Sequence, residues 1–313
     1  MPRTDLVDAQ LRPALEARLE AVPGGYGAIA DIVRRRAVVE AMAAGAEPAE
    51  PVAVHRTDHT VNGHPQVSVR VYHPTEVGAA LPGIYYIHGG GMVQGSVAGA
   101  DADAAILCAQ VQAIVVSVEY RLAPEHPYPA ALDDCRAGLA WMCRNAAEFG
   151  LDPARVAIYG PSAGGGLAIA TALAVRDQGG PALRFLMPIY PMIDDRNDTP
   201  SSHEIIDLGM WDRATNIEAW GWYLGGRPAD QYAAPARADD LTGLPPTFID
   251  VGTVDLFRDE DIAFAQRLMA AGVPTELHVH PGAYHGAKAL VPDAVLSRRI
   301  LALRLDALRR ALS

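Results

Sequence analysis

Short apolar runs alternate with segments of helix length over most of the chain. Such runs, separated by helices, are typical of a parallel sheet whose strands are buried on both faces. A hairpin precedes them, with Asn62 and Gly63 as its predicted turn and an alternating strand through Val67, Val69 and Val71. With this hairpin, the pattern predicts about eight strands in a mostly parallel sheet. The six apolar runs are Ile84–Ile87, Ala113–Val118, Val156–Tyr159, Phe185–Tyr190, Thr247–Val251 and Glu276–His280.

The first 46 residues predict helices rather than strands. Leu11, Leu15 and Leu19 recur every fourth position, which places them on one helix face. A second helical segment runs from Gly27 to Met42. The proline-containing stretch Glu47–Val52 is interpreted as a linker between these helices and the sheet.

One later segment interrupts the alternation of strands and helices. Asp194–Asp239 lies between two core strands, is longer than a simple crossover and carries a cluster of four aromatic residues between positions 211 and 223. Long insertions in α/β folds are often lids or binding elements, which is our interpretation of this segment. The alternative is a crossover helix with ordinary packing aromatics. The aromatic residues are Trp211, Trp220, Trp222 and Tyr223.

Length and charge narrow the class of protein. The chain has 313 residues, half of them hydrophobic, which is enough for one large domain with its own core. Its formal net charge of −11 argues against binding to nucleic acid, which depends on Lys and Arg contacts to phosphate, and against an anionic membrane surface. Lys288 is the only lysine, so chemistry that needs a catalytic lysine has a single candidate.

The cysteines and the N-terminus bear on the cellular compartment. Cys108, Cys135 and Cys143 lack the spacing of metal ligands and are interpreted as small apolar core residues. An odd, low count suits a reducing compartment. Met1–Val22 lacks the uninterrupted apolar region of a signal peptide, and no stretch approaches the roughly 20 apolar residues of a membrane span. We expect a cytoplasmic protein without membrane contact.

The strongest chemical motif follows the apolar run Val156–Tyr159. Gly160-Pro161-Ser162-Ala163-Gly164 comes next, and an Ala-rich segment follows it. Gly-x-Ser-x-Gly between a strand and a helix is the context of a nucleophile elbow, a turn so tight that the flanking residues must be small. Ser162 is therefore the predicted nucleophile. The alternative is a glycine-rich turn with a capping serine.

A second apolar run ends in His88-Gly89-Gly90-Gly91-Met92. Consecutive glycines let backbone N–H groups turn into a cavity without obstruction by side chains. An oxyanion hole requires such donors, each of which contributes about 3 kcal/mol. The predicted donors are Gly90, Gly91 and Ala163, the residue after the nucleophile. No Gly-x-Gly-x-x-Gly pattern opens a helix here, which disfavours a dinucleotide site.

The base is found by elimination among the late histidines. In a fold with a nucleophile elbow the partners follow in the order serine, acid, histidine. Only His278, His280 and His285 come late enough. The first two fall within the last predicted strand, where we expect them on an exposed face. His285 follows Pro281 and Gly282 in a predicted loop and is the predicted base.

The acid is expected shortly after the strand Thr247–Val251. Asp255 comes four residues past this strand, in a predicted loop. Asp259, Glu260 and Asp261 begin the next helix, where acidic residues favour the N-terminal dipole. Asp255 is therefore the predicted acid, and Asp259 is the alternative.

These motifs together resemble the hormone-sensitive-lipase-like bacterial esterases of the α/β-hydrolase superfamily. The resemblance covers roughly residues 50–290, and the order of the motifs is far more specific than any one of them. Two positions depart from the family pattern: Pro161 stands where an acid usually precedes the serine, and Leu256 where a proline usually follows the catalytic aspartate. The matching segments are His88–Gly91, Glu119–Ala130, Gly160–Gly165, Asp255–Asp259 and Tyr284–Gly286.

The resemblance implies a domain layout and an activity. Residues 1–45 would be N-terminal cap helices and residues 46–313 the catalytic α/β-hydrolase domain, with 195–232 as an inserted cap segment. The implied activity is hydrolysis of short-chain acyl esters with water, without a metal or a cofactor. A homodimer is also implied. The candidate residues of the pocket wall are Met92, Val93, Tyr190, Met210, Trp211 and Tyr284.

Other activities stay open at the level of sequence. A lactonase, a deacetylase or an amidase of the same fold would carry the same three residues, because the leaving group is recognised by the pocket. Some relatives of this fold are small-molecule receptors that have lost catalysis. The presence of Ser162, Asp255 and His285 disfavours a receptor and equally a purely structural protein.

Overall fold

The computed structural model describes residues 3–44, 52–63, 65–75, 80–206, 208 and 211–313. Eight strands form a single sheet, as the apolar pattern predicts. The strands are β1 Val54–Val61, β2 Val67–Pro74, β3 Leu81–Ile87, β4 Ile114–Glu119, β5 Leu151–Pro161, β6 Phe185–Ile189, β7 Thr247–Val254 and β8 Thr275–Tyr284. Their order in the sheet is β1-β2-β4-β3-β5-β6-β7-β8. The β1–β2 and β2–β4 pairs are antiparallel and all other pairs are parallel, which confirms the predicted fold class.

Helices cover both faces of the sheet. The helices are α1 Arg12–Ala21, α2 Ile32–Ala44, α3 Asp101–Val111, α4 Ala130–Arg144, α5 Ala146–Phe149, α6 Ala163–Gln178, α7 Pro200–Glu204, α8 Arg213–Leu224, α9 Arg258–Ala270, α10 Ala287–Leu290 and α11 Val295–Leu312. Alternation along β3 shows how the faces are divided. Ile84 and Tyr86 pack in the core that includes α3 and α11, whereas Tyr85 and Ile87 pack in the core that includes α4, α6 and α9. None of the helices in the described ranges combines the length and the apolar character that a membrane crossing requires.

The helices predicted for the first 46 residues are present as α1 and α2. Leu11 and Leu15 are fully buried, so the leucine spacing does mark the packed face of α1. Arg35 of α2 donates to Glu218 of α8 at 2.6 Å, which joins the N-terminal helices to the inserted segment. The predicted linker Glu47–Val52 lies outside the described residues except for Val52.

Several element boundaries differ from the sequence predictions. The hairpin pairing ends at Val61 and Val67, so the connection is longer than the predicted two-residue turn. Strands β7 and β8 continue to Val254 and Tyr284, because apolar and small residues extend the pairing past the predicted ends. A register shift between Gly252 and Val254 accommodates the extra residues. The predicted loops before the acid and the base are therefore strand.

The cysteine prediction is confirmed for two of three positions. Cys108 and Cys135 are buried free thiols, and burial raises the pKa of each. Cys143 is only partly buried, at the edge of the core. The thiols are packing residues and take no part in the site described next.

Candidate active site

Three polar residues directly follow the carboxyl ends of parallel strands. Ser162 follows β5, Asp255 follows β7 and His285 follows β8. Parallel strands end at the same edge of a sheet, which is where open α/β sheets form their sites. The three side chains are therefore brought together although they are 123 and 30 residues apart along the chain.

The distances join the three side chains into one hydrogen-bonded chain. His285 Nε2 lies 3.0 Å from Ser162 Oγ, and His285 Nδ1 lies 2.8 Å from Asp255 Oδ2. The other carboxylate oxygen, Asp255 Oδ1, accepts the N–H of Phe257 at 3.0 Å. Asp255 is fully buried, whereas Ser162 is 6% exposed. In the tautomer with its proton on Nδ1, the imidazole donates to the carboxylate and presents Nε2 to the serine hydroxyl as an acceptor.

The alternatives that the sequence left open lie elsewhere. Asp259 accepts the N–H of Ser201 at 2.7 Å and pairs with Arg258, away from the imidazole. His278 pairs with Glu276 at 2.8 Å. The expectation that His280 lies on an exposed face is wrong: it is 6% exposed, and its Nε2 lies 3.5 Å from Asp250. Asp250, a buried acidic residue inside β7, gives this imidazole a charged neighbour in the core.

The turn that carries Ser162 is strained, as a nucleophile elbow requires. Ser162 has φ 57° and ψ −123°, a conformation that is rare for a residue with a side chain. A side-chain carbon added at Gly160 would overlap the carbonyl of Gly164, and one at Gly164 would overlap the carbonyl of Ile87. Glycine is therefore required at both positions. These close approaches are the physical reason why the sequence pattern needs small residues on either side of Ser162.

The predicted oxyanion donors belong to two segments that lie against each other, the loop after β3 and the start of α6. Gly90 and Gly91 have φ 119° and 64°, so the chain after β3 folds back on itself. A side-chain carbon on the neighbouring Gly89 would come within 3.4 Å of the Ser162 Cβ, which brings this loop against the nucleophile. Within the part of the chain that the structure describes, the N–H groups of Gly90, Gly91 and Ala163 donate no hydrogen bond. They are free for an oxygen of a bound molecule.

The strand end before these glycines is fixed by buried aromatic contacts. Tyr120 donates its hydroxyl to the carbonyl of His88 at 2.9 Å, and the two rings stack 4.1 Å apart. His88 is 2% exposed, and its Nδ1 contacts the carbonyl of Gly89 at 2.8 Å. Burial lowers the pKa of His88 to about 4, with the Gly89 hydrogen bond opposing the shift. His88 is a neutral structural residue at neutral pH.

Two aromatic rings enclose the imidazole of His285. Tyr190 and Phe257 approach it edge-on, with centroids at 4.8 and 5.2 Å. Tyr190 has φ 36°, and Arg304 lies 5.4 Å from the centre of its ring. These rings restrict the rotation of the imidazole while its two nitrogens bond to Asp255 and Ser162.

Of the five predicted pocket residues that the structure describes, four are buried and Tyr190 is partly buried. Met92, Val93, Trp211 and Tyr284 are each less than 5% exposed. Trp211 lies directly over Gly91, since a side-chain carbon added at Gly91 would overlap the indole ring. Met210 lies outside the described residues. Trp211 thus adjoins the glycine loop after β3, Tyr190 adjoins the imidazole, and the pocket role of all six residues stays a prediction.

Sequence reasoning missed two buried acids beside the site. The sequence predicts Glu260 and Asp261 at a helix N-terminus that favours acidic residues, but both are buried, and burial raises the pKa of each well above its ordinary range. Glu260 Oε1 accepts the N–H groups of Ile193 and Asp194 at 3.0 and 3.2 Å, which fixes the loop after β6. Their burial depends on how the inserted segment packs on α9, and no local pattern encodes that.

The described ranges contain no group of three or more His, Cys, Asp or Glu side chains arranged to hold a metal ion. The candidate chemistry that the geometry does support is that of the hydrogen-bonded serine, histidine and aspartate with nearby backbone N–H groups. This arrangement can activate a hydroxyl for attack on a carbonyl carbon and bind the oxyanion that results.

Comparison with known proteins places the chain in a family. A family described as having the alpha/beta hydrolase fold matches residues 84–289. Carboxylesterase NlhH of Mycobacterium tuberculosis is 37% identical over 306 residues, covering 96% of each chain. Esterase LipI of the same organism is 38% identical over 76% of this chain and 78% of its own. The solved structure of a bacterial heroin esterase has a TM-score of 0.90 at 36% identity and covers 99% of each chain.

The chain therefore belongs to the α/β-hydrolase superfamily, and within it to the hormone-sensitive-lipase-like esterases. The resemblance drawn from the motifs and the fold class predicted from the apolar pattern are both confirmed.

Proposed function

We propose that this carboxylic ester hydrolase cleaves small acyl esters with Ser162 as nucleophile, His285 as general base and Asp255 as the acid that orients the imidazole. The activity follows from family membership. The observation that carries the residue assignment is the continuous hydrogen-bonded chain from Ser162 Oγ through both imidazole nitrogens to the Asp255 carboxylate.

The reaction takes two steps through an acyl-enzyme. His285 Nε2 accepts the proton of Ser162 as Oγ attacks the ester carbonyl carbon, and the imidazolium then gives this proton to the leaving alcohol. Water attacks the acyl group by the same route in reverse, and the acid leaves as Oγ regains its proton. Asp255 keeps the proton on Nδ1 and stabilises the imidazolium in a site from which bulk water is excluded.

The oxyanion that forms in both steps requires its own donors. We assign this role to the N–H groups of Gly90, Gly91 and Ala163, because Ala163 follows Ser162, the neighbouring Gly89 lies against the Ser162 side chain, and none of the three N–H groups has an acceptor in the described chain. Each such donor contributes about 3 kcal/mol to the stability of the transition state. Ala163 opens α6, so the partial positive charge of a helix N-terminus adds to its effect.

A cap formed by the N-terminal helices and the inserted segment supports a small substrate. The Arg35–Glu218 ion pair joins α2 to α8. Trp211 of the inserted segment lies on Gly91 in the loop of residues 89–94, which we call the oxyanion loop. Trp211 donates its indole N–H to Asn216 at 2.9 Å, which holds the ring in place. A bulky ring fixed at this position limits the length of the acyl or alcohol group that fits.

The first test measures hydrolysis of p-nitrophenyl esters from acetyl to palmitoyl by the parent protein and by Ser162→Ala. We expect activity to peak at short chains and to fall by about 10⁴-fold or more in the variant, since the nucleophile is removed. Circular dichroism confirms that both proteins are folded. Full activity in folded Ser162→Ala would reject the nucleophile assignment, and activity that rises toward palmitoyl would reject the small pocket.

A further inference from the structure

Arg36 of α2 reaches from the N-terminal helices to the loop that carries the proposed oxyanion donors. Its Nε donates to the carbonyl of Val93 at 2.8 Å, and its Nη2 donates to the carbonyl of Ala123 at 2.8 Å. Nη1 and Nη2 also bind both oxygens of Glu125, at 2.9 and 2.7 Å. One guanidinium therefore bridges three segments that are far apart along the chain.

The two carbonyls that Arg36 binds belong to one local structure. Ala123 donates its N–H to the carbonyl of Met92 at 2.9 Å, which ties the oxyanion loop to the segment after β4. Within the loop, Val93 and Gln94 donate to the carbonyl of Gly90 at 3.1 and 3.0 Å. A displacement of Val93 would therefore rotate the peptide groups at positions 90 and 91.

We propose that Arg36 is a positioning residue for the oxyanion hole. The side chain does not touch the reacting atoms; by holding Val93 and Ala123 together it sets the direction of the Gly90 and Gly91 N–H groups. This inference rests on the proposed function of those donors. It makes the N-terminal helices part of the catalytic geometry, in addition to being a cover over the pocket.

The chemistry of the side chain explains why an arginine is used. A guanidinium presents five N–H donors in a rigid plane, and the Arg36 contacts use donors on all three of its nitrogens. A lysine has one nitrogen and cannot span the two carbonyls and the carboxylate in the same plane. The Glu125 carboxylate holds the plane in place, and the Arg36 hydrogen bond keeps the pKa of Glu125 below its usual value.

Two neighbouring arginines allow the role of Arg36 to be distinguished from effects of the charge and the packing of α2. Arg34 is exposed to solvent, so its replacement changes the charge of α2 without touching the loop. Arg35 is buried and binds Glu218, so its replacement weakens the packing of α2 on α8 without touching Val93. Arg34→Lys and Arg36→Lys therefore form a matched pair with the same chemical change.

The experiment measures kcat and KM on p-nitrophenyl acetate together with inhibition by a trifluoromethyl ketone. Ser162 adds to this ketone to give a tetrahedral oxyanion, so its affinity reports on the oxyanion hole. We expect Arg36→Lys to lower kcat about 10-fold, to leave KM within about 2-fold and to weaken the ketone by a factor similar to that in kcat. Arg34→Lys should match the parent in all three quantities.

Glu125→Gln provides a second variant that leaves the apolar packing of α2 intact. It should lower kcat in the same direction by about 3-fold, because the guanidinium is held less firmly. Hydrogen exchange in peptides that cover residues 88–96 should become faster in Arg36→Lys and stay unchanged in Arg34→Lys. This readout needs no catalysis, so it remains valid whatever reaction Ser162 performs.

The outcomes distinguish this inference from the proposed function. Unchanged exchange in residues 88–96 of folded Arg36→Lys would overturn the positioning role even if the protein is an esterase. A loss in kcat without any loss of ketone affinity would overturn it as well. Full activity of Ser162→Ala would reject the proposed nucleophile, while faster exchange in Arg36→Lys would still support the contact between Arg36 and the loop.

Discussion

His88 shows how burial decides the charge of a single residue. In the sequence it is only the first member of a glycine-rich motif, yet in the fold it is stacked on Tyr120 and closed off from water. Its Nε2 has no hydrogen-bond partner among the described residues, and Glu119 Oε1 is 3.9 Å away. A protonated imidazole would therefore be poorly solvated, which is why burial lowers its pKa to about 4.

This shift predicts a loss of stability in weak acid. The unfolded chain binds a proton at His88 near pH 6.5, whereas the folded protein binds it only near pH 4. Between these values the unfolded state holds more protons, so the free energy of unfolding falls as the pH is lowered and is constant for this group above pH 6.5. At pH 5, His88 alone should lower the free energy of unfolding by about 2 kcal/mol relative to its value above pH 6.5.

Urea denaturation at pH 7 and pH 5 measures the effect. His88→Gln cannot titrate, so its free energy of unfolding should fall less between the two pH values than that of the parent. Carboxylates affect both proteins alike and cancel in the comparison. Equal losses in the parent and in His88→Gln would show that the imidazole is already protonated in the fold near its ordinary pKa.

Residues differ in how far the sequence predicts their roles. Ser162 and His285 were predictable because tight turns and chain order leave few candidates. The burial of Glu260 was not predictable, because acidic residues at a helix N-terminus are equally typical of exposed and of buried helices. The position of Tyr190 against His285 also escaped prediction as a contact, since it depends on a positive φ and on Arg304, which is distant in sequence.

At the scale of elements, the inserted segment contacts the loop after β3 through Trp211. The indole lies on Gly91, and its N–H is bound to Asn216 of α8. Asn216 in turn donates to Asn197 at 3.2 Å, and all three side chains are buried. The position of the ring is thus set by a chain of hydrogen bonds within the inserted segment.

Shortening this side chain should change which esters are hydrolysed best. In Trp211→Ala the space over the oxyanion loop opens, so we expect the optimum of kcat/KM in the p-nitrophenyl series to shift toward longer acyl chains. Trp211→Phe keeps most of the volume and should resemble the parent. Identical profiles for Trp211→Ala and the parent would show that the ring does not limit the acyl chain.

Elements were predictable in number and kind, and less so in extent. Six of the eight strands follow from apolar runs, because strands buried on both faces carry few polar residues, and the other two follow from the hairpin pattern. The strands β7 and β8 extend past their predicted ends; in β8, Pro281 and Gly282 are typical of a turn but lie in irregular strand. Asp8 donates its N–H to the carbonyl of Gly282 at 3.0 Å, a long-range contact that no local pattern shows.

At the scale of the whole molecule, one buried ion pair joins the last helix to the sheet. Arg304 of α11 binds both oxygens of Asp250 in β7, at 2.7 and 3.0 Å, and both side chains are almost fully buried. Burial alone would raise the pKa of Asp250, but the nearby Arg304 charge and hydrogen bonds, with His280, hold it below its ordinary value. The homodimer that the family resemblance implies stays a prediction.

We expect that removing one partner of this ion pair destabilises the fold more than replacing both partners by apolar residues. Arg304→Met leaves the Asp250 charge buried without its partner, and we expect the free energy of unfolding to fall by about 3–5 kcal/mol. In the double variant Arg304→Met/Asp250→Leu no charge is stranded, so most of this loss should be recovered. Both variants keep the apolar contacts of α11 with the sheet.

Urea unfolding of the parent, both single variants and the double variant forms a complete cycle. Arg309→Met serves as the control, since Arg309 lies on the same helix but is exposed, and its loss should stay within about 1 kcal/mol. Additive losses in the double variant would mean that the two charges do not depend on each other. The ion pair would then contribute no coupling energy to the packing of α11 on the sheet, and the proposed dependence of each charge on the other would be wrong.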